Sequence, residues 1–396
     1  MEAMRETTGM APEPTRSGTP GLMRSMNERT ALSLLIARGP MTRVGLGEAT
    51  GLSAPTTAKL VKRLSDVGLM CPAGHTSGSR GPTAAIYRAC TEAELGVAVH
   101  MRLGYAIAQV VDASDQQYPV AQVPLPDMEQ GAADDLARAI EAACEAAGKD
   151  ISEITAICVG VPGSVSADGD VLRFAENIPG WPRHAVRTKL EQQLGVNVMI
   201  ENDANLAAVA ESDARGGEED FVLLWSGEGL AIAAMTNLRV YRGVGGGAGE
   251  IGYLPVPRTA ASLDQRAFDM QDLTGPAAVI DIVAAHRPGV TTYDAALEAL
   301  DDPELRRTLL AELAPRIAEA LMPVIAILDP PRIVLAGPTG AACGVDGANL
   351  VQAYLRRTTR WRTPVIATIV PAEPVLRGAA LTLSEQLAEH LLSRVG

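Results

Sequence analysis

Aromatic side chains are scarce in this chain of 396 residues: three Phe, three Trp and seven Tyr, against a background rich in Ala and Gly. That balance is what a GC-rich genome produces and carries no functional information. Cysteine is also sparse. Cys71, Cys90, Cys144, Cys158 and Cys343 are scattered without C-x-x-C spacing, so they read as reduced cytosolic thiols, not as a disulfide frame or a zinc site. No apolar run approaches membrane-spanning length, which argues against a membrane partner. The N-terminus lacks the apolar core of a signal peptide, so a cytoplasmic location is expected. No short-period repeat suggests a solenoid. His184 and His286 have no partners at metal-ligand spacing and read as surface or satisfied histidines.

The chain does have an uneven charge. Residues 1–90 carry 11 Lys/Arg against 6 Asp/Glu, a net of +5, while the remainder carries 23 against 41, a net of −18. A small basic head on an acidic body suggests a nucleic-acid reader fused to something that must not stick to nucleic acid.

The head starts with residues 1–23, rich in Pro, Thr, Gly and Met and expected to be disordered. From Asn27 the pattern becomes periodic. Leu32, Leu35 and Ile36 form one face of a short helix ended by Gly39-Pro40. Thr42 is placed to cap a second helix running to about Thr50. Gly51-Leu52-Ser53 then makes a tight turn, with Ser53 as the next N-cap and Pro55 in the first turn of a helix over Ala54–Val67. On that helix Thr57, Leu60, Val61 and Leu64 face one way, and Thr56, Lys59, Lys62 and Arg63 the other. Helix, Gly-containing turn and a helix with a basic outer face form a helix-turn-helix pattern. Lys and Arg suit phosphates, and Thr56 sits where base edges are read. Met70–Ala89 reads as a hairpin wing with Arg80 at its tip, giving a winged helix-turn-helix over 24–90. A winged helix that binds protein is the alternative.

Residues 91–396 alternate apolar strands with Ala-rich helices, the sign of an α/β fold. Strands are expected at Leu95–Val99, Ala106–Val111, Ile154–Val159, Val198–Ile200, Phe221–Trp225, Ala231–Met235, Arg332–Leu335 and Val365–Ile369. Helices are expected at Ala132–Ala147, Arg187–Leu194, Ala204–Ala214, Leu305–Ile327, Ala348–Arg356 and Ala379–Leu392. Pro315 and Pro323 predict a kink or split in the Leu305–Ile327 helix.

Within this body the chain reads ICVGVPGSV at Ile157–Val165, FAENIPGW at Phe174–Trp181, IENDANLAAVAE at Ile200–Glu211, YRGVGGGAGEIGYLPV at Tyr241–Val256 and LDPPRIVLAGPTG at Leu328–Gly340. In this order, after a winged helix, these segments resemble the ROK family (repressors, open reading frames and sugar kinases). The resemblance covers nearly all of the chain after its first residues. It implies an actin-like, two-lobed ATPase fold of ribonuclease-H type, with lobes of about 91–203 plus the C-terminal helix and about 204–375, and a sugar in the cleft. Carried over by match, Asp203 stands at the general base, and Asn202 and Glu250 at sugar-binding positions. The residue types suit that role independently. A carboxylate at a strand-to-helix junction lies beside a helix N-terminus, which favours its ionised form, and carboxylates with an amide match hydroxyls. The plainer alternative makes Asp203 a helix N-cap and Asn202 a turn residue.

The chain departs from the kinases of the family at three places in the nucleotide site, two phosphate loops and the late adenosine-site glycines. In GVAVHMRLGY, Ala98 stands where an Asp is usual, His100 where a Gly is usual and Arg102 near a Thr position. In SGEGLA, Glu228 replaces Thr; the late glycines are reduced to Ala336-Gly337-Pro338. A magnesium–nucleotide site would lose an oxygen ligand and close backbone approach, and gain a repulsive carboxylate. The sugar side differs too. Tyr253 occupies the place of a His that binds sugar and zinc, and Arg258–Pro276 has neither Cys nor His where the family's zinc loop falls. The last sugar-binding Glu of that loop falls near Met270, with Asp269 or Asp272 as substitutes if the loop shifts.

These features predict a DNA-binding transcriptional regulator, a repressor in the first instance, with no kinase activity, no cofactor and no metal. Its partners are a duplex operator read by Ser53, Thr56, Lys59, Lys62, Arg63 and Arg80, and a carbohydrate-derived effector held by Asn202, Asp203, Glu250 and Tyr253. A homodimer or homotetramer is expected, since one head makes few base contacts. The competing readings are a sugar kinase with an appended winged helix and a ligand-independent DNA binder.

Overall fold

Helix α1 spans Pro20–Arg38, so it begins inside the segment expected to lack structure. Its first turns expose Leu22, Met23 and Met26, which leaves no buried stripe for periodicity to reveal; Ala31, Leu32 and Leu35 hold the helix to the core. The computed structural model describes residues 20–76, 84–114, 116–125, 131–175, 178 and 180–395. The expected wing tip with Arg80 and the first 19 residues lie outside them.

The chain divides into two units, Met1–Ala93 with Glu389–Gly396, and Glu94–Ala388. The division falls close to the expected position at residue 90, but the last turn of the C-terminal helix groups with the head. After α1 the head contains β1 (Met41–Thr42), α2 (Arg43–Thr50), α3 (Ala54–Asp66), β2 (Met70–His75) and β3 (Ala85–Ala89), with strand order β1-β3-β2. Thr42 caps α2 by accepting from the Gly45 amide at 3.1 Å, and Gly51 ends it at φ 70°, a left-handed conformation glycine adopts without steric cost.

The antiparallel pairing of β2 with β3 brings Cys71 and Cys90 to a Cα separation of 5.5 Å, and they form a disulfide. This corrects the expectation of five reduced thiols. A hairpin places its two ends side by side, within disulfide reach, whatever the spacing between the cysteines in sequence. Cys144, Cys158 and Cys343 are free and buried.

The body holds two lobes. The first contains β4 (Leu95–Arg102), β5 (Tyr105–Asp112), β6 (Val120–Pro124), α4 (Ala132–Ala147), β7 (Ile154–Val161), the short pair β8 (Ser164–Val165) and β9 (Leu172–Arg173), α5 (Val186–Leu194) and β10 (Asn197–Asn202). The helix α6 (Asp203–Ala214) leads to the second lobe: β11 (Phe221–Ser226), β12 (Leu230–Thr236), β13 (Arg239–Tyr241), α7 (Met270–Thr274), α8 (Pro276–His286), α9 (Tyr293–Glu298), α10 (Pro303–Leu328), β14 (Ile333–Ala336), α11 (Gly337–Thr358) and β15 (Val365–Ala367). The last helix, α12 (Pro374–Ser393), returns to the first sheet.

The two sheets share one topology. Their orders are β10-β7-β4-β5-β6 and β13-β12-β11-β14-β15. In each, the first three strands form an antiparallel meander and the fourth and fifth add in parallel beside the first. Two such mixed α/β sheets fit an actin-like ATPase fold. β4 and β7 are buried on both faces, which explains their continuous apolar runs. α12 packs so closely on them that a Cβ at Gly96 would lie 2.8 Å from Leu383, and one at Gly160 would lie 2.5 Å from Val375.

All eight expected body strands are present, as are the six helices. The split that the prolines could have caused in α10 does not occur: one helical segment runs through Pro315 and Pro323. Leu309, Leu313, Ile317 and Leu321, spaced by four, bury one stripe of it in the core of the second lobe and outweigh two lost hydrogen bonds. No helix among the described residues is long and apolar enough to cross a membrane.

Candidate functional site

In the head, α3 buries Thr57, Leu60, Val61 and Leu64 and turns Ser53, Thr56, Lys59 and Lys62 to solvent. Ser53 occupies the N-cap position, but its hydroxyl bonds to Thr56 Oγ1 at 2.9 Å and makes no capping bond to the backbone. Lys62 reaches Asp66 at 2.8 Å, one turn on, an exposed pair that costs little to break. Arg63 is also partly exposed, at 41%, and its guanidinium pairs with Glu28 of α1, whose side chain is buried.

In the body, the end of β10 delivers Asn202 and Asp203 to the floor of the interlobe cleft. Asn202 is the N-cap of α6: its Oδ1 accepts from the Asn205 amide at 3.2 Å, and its Nδ2 donates to the Gly163 carbonyl at 3.0 Å. The cap thus falls on Asn202 and not on Asp203. Asp203 follows as the first helical residue and accepts from the Ala204 amide at 2.7 Å. That bond favours the carboxylate, but burial together with the nearby Glu228 and Glu250 outweighs it, and the Asp203 carboxyl is pushed up to about 7. The helix terminus therefore does not keep it strongly acidic, as the sequence suggested. A carboxyl poised near neutrality can exchange a proton with a bound hydroxyl.

One side of the cleft holds a cavity of about 220 Å³ lined by Asn202, Asp203, Glu250 and Tyr253 together with Phe174, Asp269 and Gln271. All four sequence-predicted ligand residues therefore meet in one place. Gly249 makes the approach possible. At φ 101° it lies so close to β12 that a Cβ would sit 2.0 Å from the Ile232 carbonyl. Met270, aligned with a family sugar ligand, is buried in the core of the second lobe. Its neighbour Gln271 reaches the cavity and accepts from the Leu230 amide at 2.6 Å. Asp269 lines the cavity while capping α7, and Asp272 instead accepts from the Phe268 amide at 3.0 Å. Phe174 was not singled out from the sequence. Its signal was an aromatic side chain in a chain with few, at the start of the segment FAENIPGW.

The other side of the cleft, a cavity of about 190 Å³, is where the altered phosphate segments meet: His100, Arg102, Glu228, Gly337 and Glu373 line it. His100 Nδ1 lies 3.5 Å from Glu373 Oε2, and Arg102 Nε lies 3.5 Å from Glu228 Oε1. Arg102 also stacks 5.1 Å over the Tyr105 ring. Burial holds the His100 imidazole below its usual range, against the pull of Glu373, whose own carboxyl is lowered by the bond to His100. A Cβ on Gly337 would sit 2.6 Å from the Ser226 carbonyl. Side chains of both signs already pair here.

The loop Arg258–Pro276 is held by ionic contacts from α10. Arg316 is buried and donates to the carbonyls of Leu273 at 3.3 Å and Leu263 at 3.2 Å, with Asp264 at 3.5 Å. Glu319 accepts from Thr259 at 3.0 Å. Among the described residues no group of three or more His, Cys, Asp or Glu is placed to hold a metal ion.

This duplicated fold, with its cleft between two lobes, is that of sugar kinases and of the regulators related to them. Residues 99–383 match the ROK family, and the chain belongs to that family. A glucokinase of Halalkalibacterium halodurans is 34% identical over 110 residues, 27% of this chain and 33% of that protein. The DNA-binding transcriptional dual regulator NagC of Escherichia coli K12 is 25% identical over 246 residues, 60% of this chain and 59% of NagC. The chain thus spans about a third to three fifths of the length of these relatives. The crystal structure of a ROK family transcriptional regulator, homologous to the E. coli MLC protein, matches with a TM-score of 0.68 at 18% identity, over 94% of this chain and 98% of that one. That likeness establishes a common fold.

Proposed function

We propose that this protein is a cytoplasmic, DNA-binding transcriptional regulator, acting as a repressor, whose body senses a carbohydrate-derived ligand and does not phosphorylate it. The observation that carries the reading is α3. It follows a capped helix and a left-handed Gly51 turn, buries one face completely, and presents Ser53, Thr56, Lys59 and Lys62 to solvent. With the β2–β3 hairpin after it, this is the order of a winged helix-turn-helix. The relationship to NagC, named as a DNA-binding regulator, and the fold shared with the MLC homologue point the same way. Two such heads in a dimer or tetramer would read two half-sites. The effector would enter the cavity of Asn202, Asp203, Glu250 and Tyr253 and act by binding one cleft opening better than another.

The absence of kinase activity is argued from the opposite side of the cleft. A triphosphate there would face the Glu228 and Glu373 carboxylates and would have to displace the Arg102–Glu228 ion pair and the His100–Glu373 contact. One observation favours the kinase alternative: Asp203 stands in the cleft with a carboxyl near 7, suited to a general base. The test has two arms. Genome-wide mapping of bound DNA should yield operators that the purified protein binds in gel shifts and releases with a sugar-derived metabolite. Assays with ATP and hexoses should yield no sugar-dependent ADP. ADP release that depends on sugar and disappears in Asp203→Asn would establish the kinase instead.

A further inference from the structure

Phe174 and Tyr253 stand together on the sugar side of the cleft, ring centroids 4.8 Å apart and planes inclined by 40°. Both line the cavity that contains Asn202, Asp203 and Glu250, yet both remain about half exposed, at 42% and 54%. Phe174 is one of only three Phe in the chain, and the other two are not in this cavity. Its backbone is also strained. It sits at φ 52°, a region that bulky side chains rarely enter and that persists where the surroundings impose it. The next residue supplies that constraint. Ala175 is buried and its carbonyl accepts from Arg183 at 2.8 Å, while a Cβ at Gly163 would lie 2.8 Å from it.

Among the described residues, the polar inventory of the same cavity is thin. Asn202 commits its amide oxygen to Asn205 and an amide hydrogen to Gly163. Gln271 commits its oxygen to Leu230 and its nitrogen to the Glu228 carbonyl at 3.4 Å. Asp269 caps α7, and Met270 has left for the core. Among the described residues few uncommitted groups face the hydroxyls of a free hexose, and two adjacent rings stand beside them. Polar floor and aromatic wall fit a ligand of mixed character.

We propose that Phe174 and Tyr253 form an aromatic platform that selects a glycoside, a sugar ring carrying a second sugar or aryl ring, over the free monosaccharide. This rests on the reading of the cleft as a carbohydrate sensor. The sugar hydroxyls meet Asp203 and Glu250; the second ring lies on the platform and removes its apolar surface from water.

Calorimetry on the full chain tests this with D-glucose, N-acetyl-D-glucosamine and D-xylose, and with the p-nitrophenyl glycosides of each in both anomers. The platform predicts that at least one glycoside binds about tenfold tighter than its parent sugar. Phe174→Ala should remove most of that advantage and leave the parent sugar within about twofold; Tyr253→Ala should remove the advantage as well, whereas Tyr253→Phe should retain it. Phe174→Gly, which relieves the backbone, guards against misfolding of the Ala variant. Equal binding of glycoside and parent by the natural protein would overturn the platform and leave the sensor standing, as would an advantage that survives both Ala variants. If no probe binds, sensor and platform fall together.

Discussion

Arg102 Nε stands 3.5 Å from Glu228 Oε1, and the two residues belong to different lobes. Arg102 ends β4 of the first lobe; Glu228 lies in the turn between β11 and β12 of the second. A second pair spans the same cleft, Arg242 after β13 with Glu201 of β10 at 2.6 Å. These ion pairs join the lobes through residues outside the core of either sheet. A ligand that opens or closes the cleft acts against both.

These pairs are testable by double-mutant cycles. Arg102 and Glu228 are mostly buried, so their coupling should exceed that of an exposed pair, at about 1–2 kcal/mol from denaturant melts of Arg102→Ala, Glu228→Ala and the double variant. Coupling near zero would mean that the pair does not join the lobes.

Asp203 makes a pH-dependent contribution whose sign is fixed by its raised carboxyl. Below its ordinary value near 3.8 the group is protonated whether the chain is folded or not, and it has no effect. Between there and about 7 the unfolded chain holds a carboxylate while the folded one stays protonated, so stability falls as pH rises; above 7 the penalty is complete. Asp203→Asn removes it. The variant should gain stability relative to the natural protein by about 2 kcal/mol more at pH 8 than at pH 5, as read from chemical denaturation. A gain independent of pH would place the Asp203 carboxyl near its ordinary value.

Lys59 and Arg63 face different fates although they lie one turn apart. Lys59→Ala should weaken binding to every DNA sequence and lower the slope of affinity against salt by about one unit, with the melting temperature unchanged. Arg63→Ala should instead destabilise the head by about 1–3 kcal/mol, because Glu28 is left buried without its partner. If both variants behave as phosphate contacts, Arg63 turns outward on DNA.

The Arg258–Pro276 loop should depend on Arg316 and not on a metal. Arg316→Met keeps much of the volume but strands the Leu263 and Leu273 carbonyls, and about 2–3 kcal/mol of stability should go with them. Stoichiometric zinc in the purified protein, or unfolding by a chelator, would refute this account of the loop.

Much of this was legible in the residues. The buried strands announced themselves because both their faces are apolar, and the turn between α2 and α3 because Gly51 and Thr42 have local jobs. Helices α7 to α9 were missed, being short and lacking an extended stripe. Asn202, Asp203, Glu250 and Tyr253 could be singled out because they sit in two recognisable segments, and the fold brings them to one cavity. The partners of His100, Arg102 and Arg63 were not, since Glu373, Glu228 and Glu28 meet them only through the tertiary fold. Local chemistry shows that a charge is present; what neutralises it is settled by packing.

The Cys71–Cys90 bridge turns the hairpin into a covalent ring. Cleavage of any peptide bond from Pro72 to Ala89 opens that ring without dividing the molecule. The nicked chain would keep its mass plus one water, migrate as one species without reductant, and separate into two fragments only once a thiol is added. Limited proteolysis on paired gels would thus read the state of these two sulfurs directly, with no operator or effector in hand.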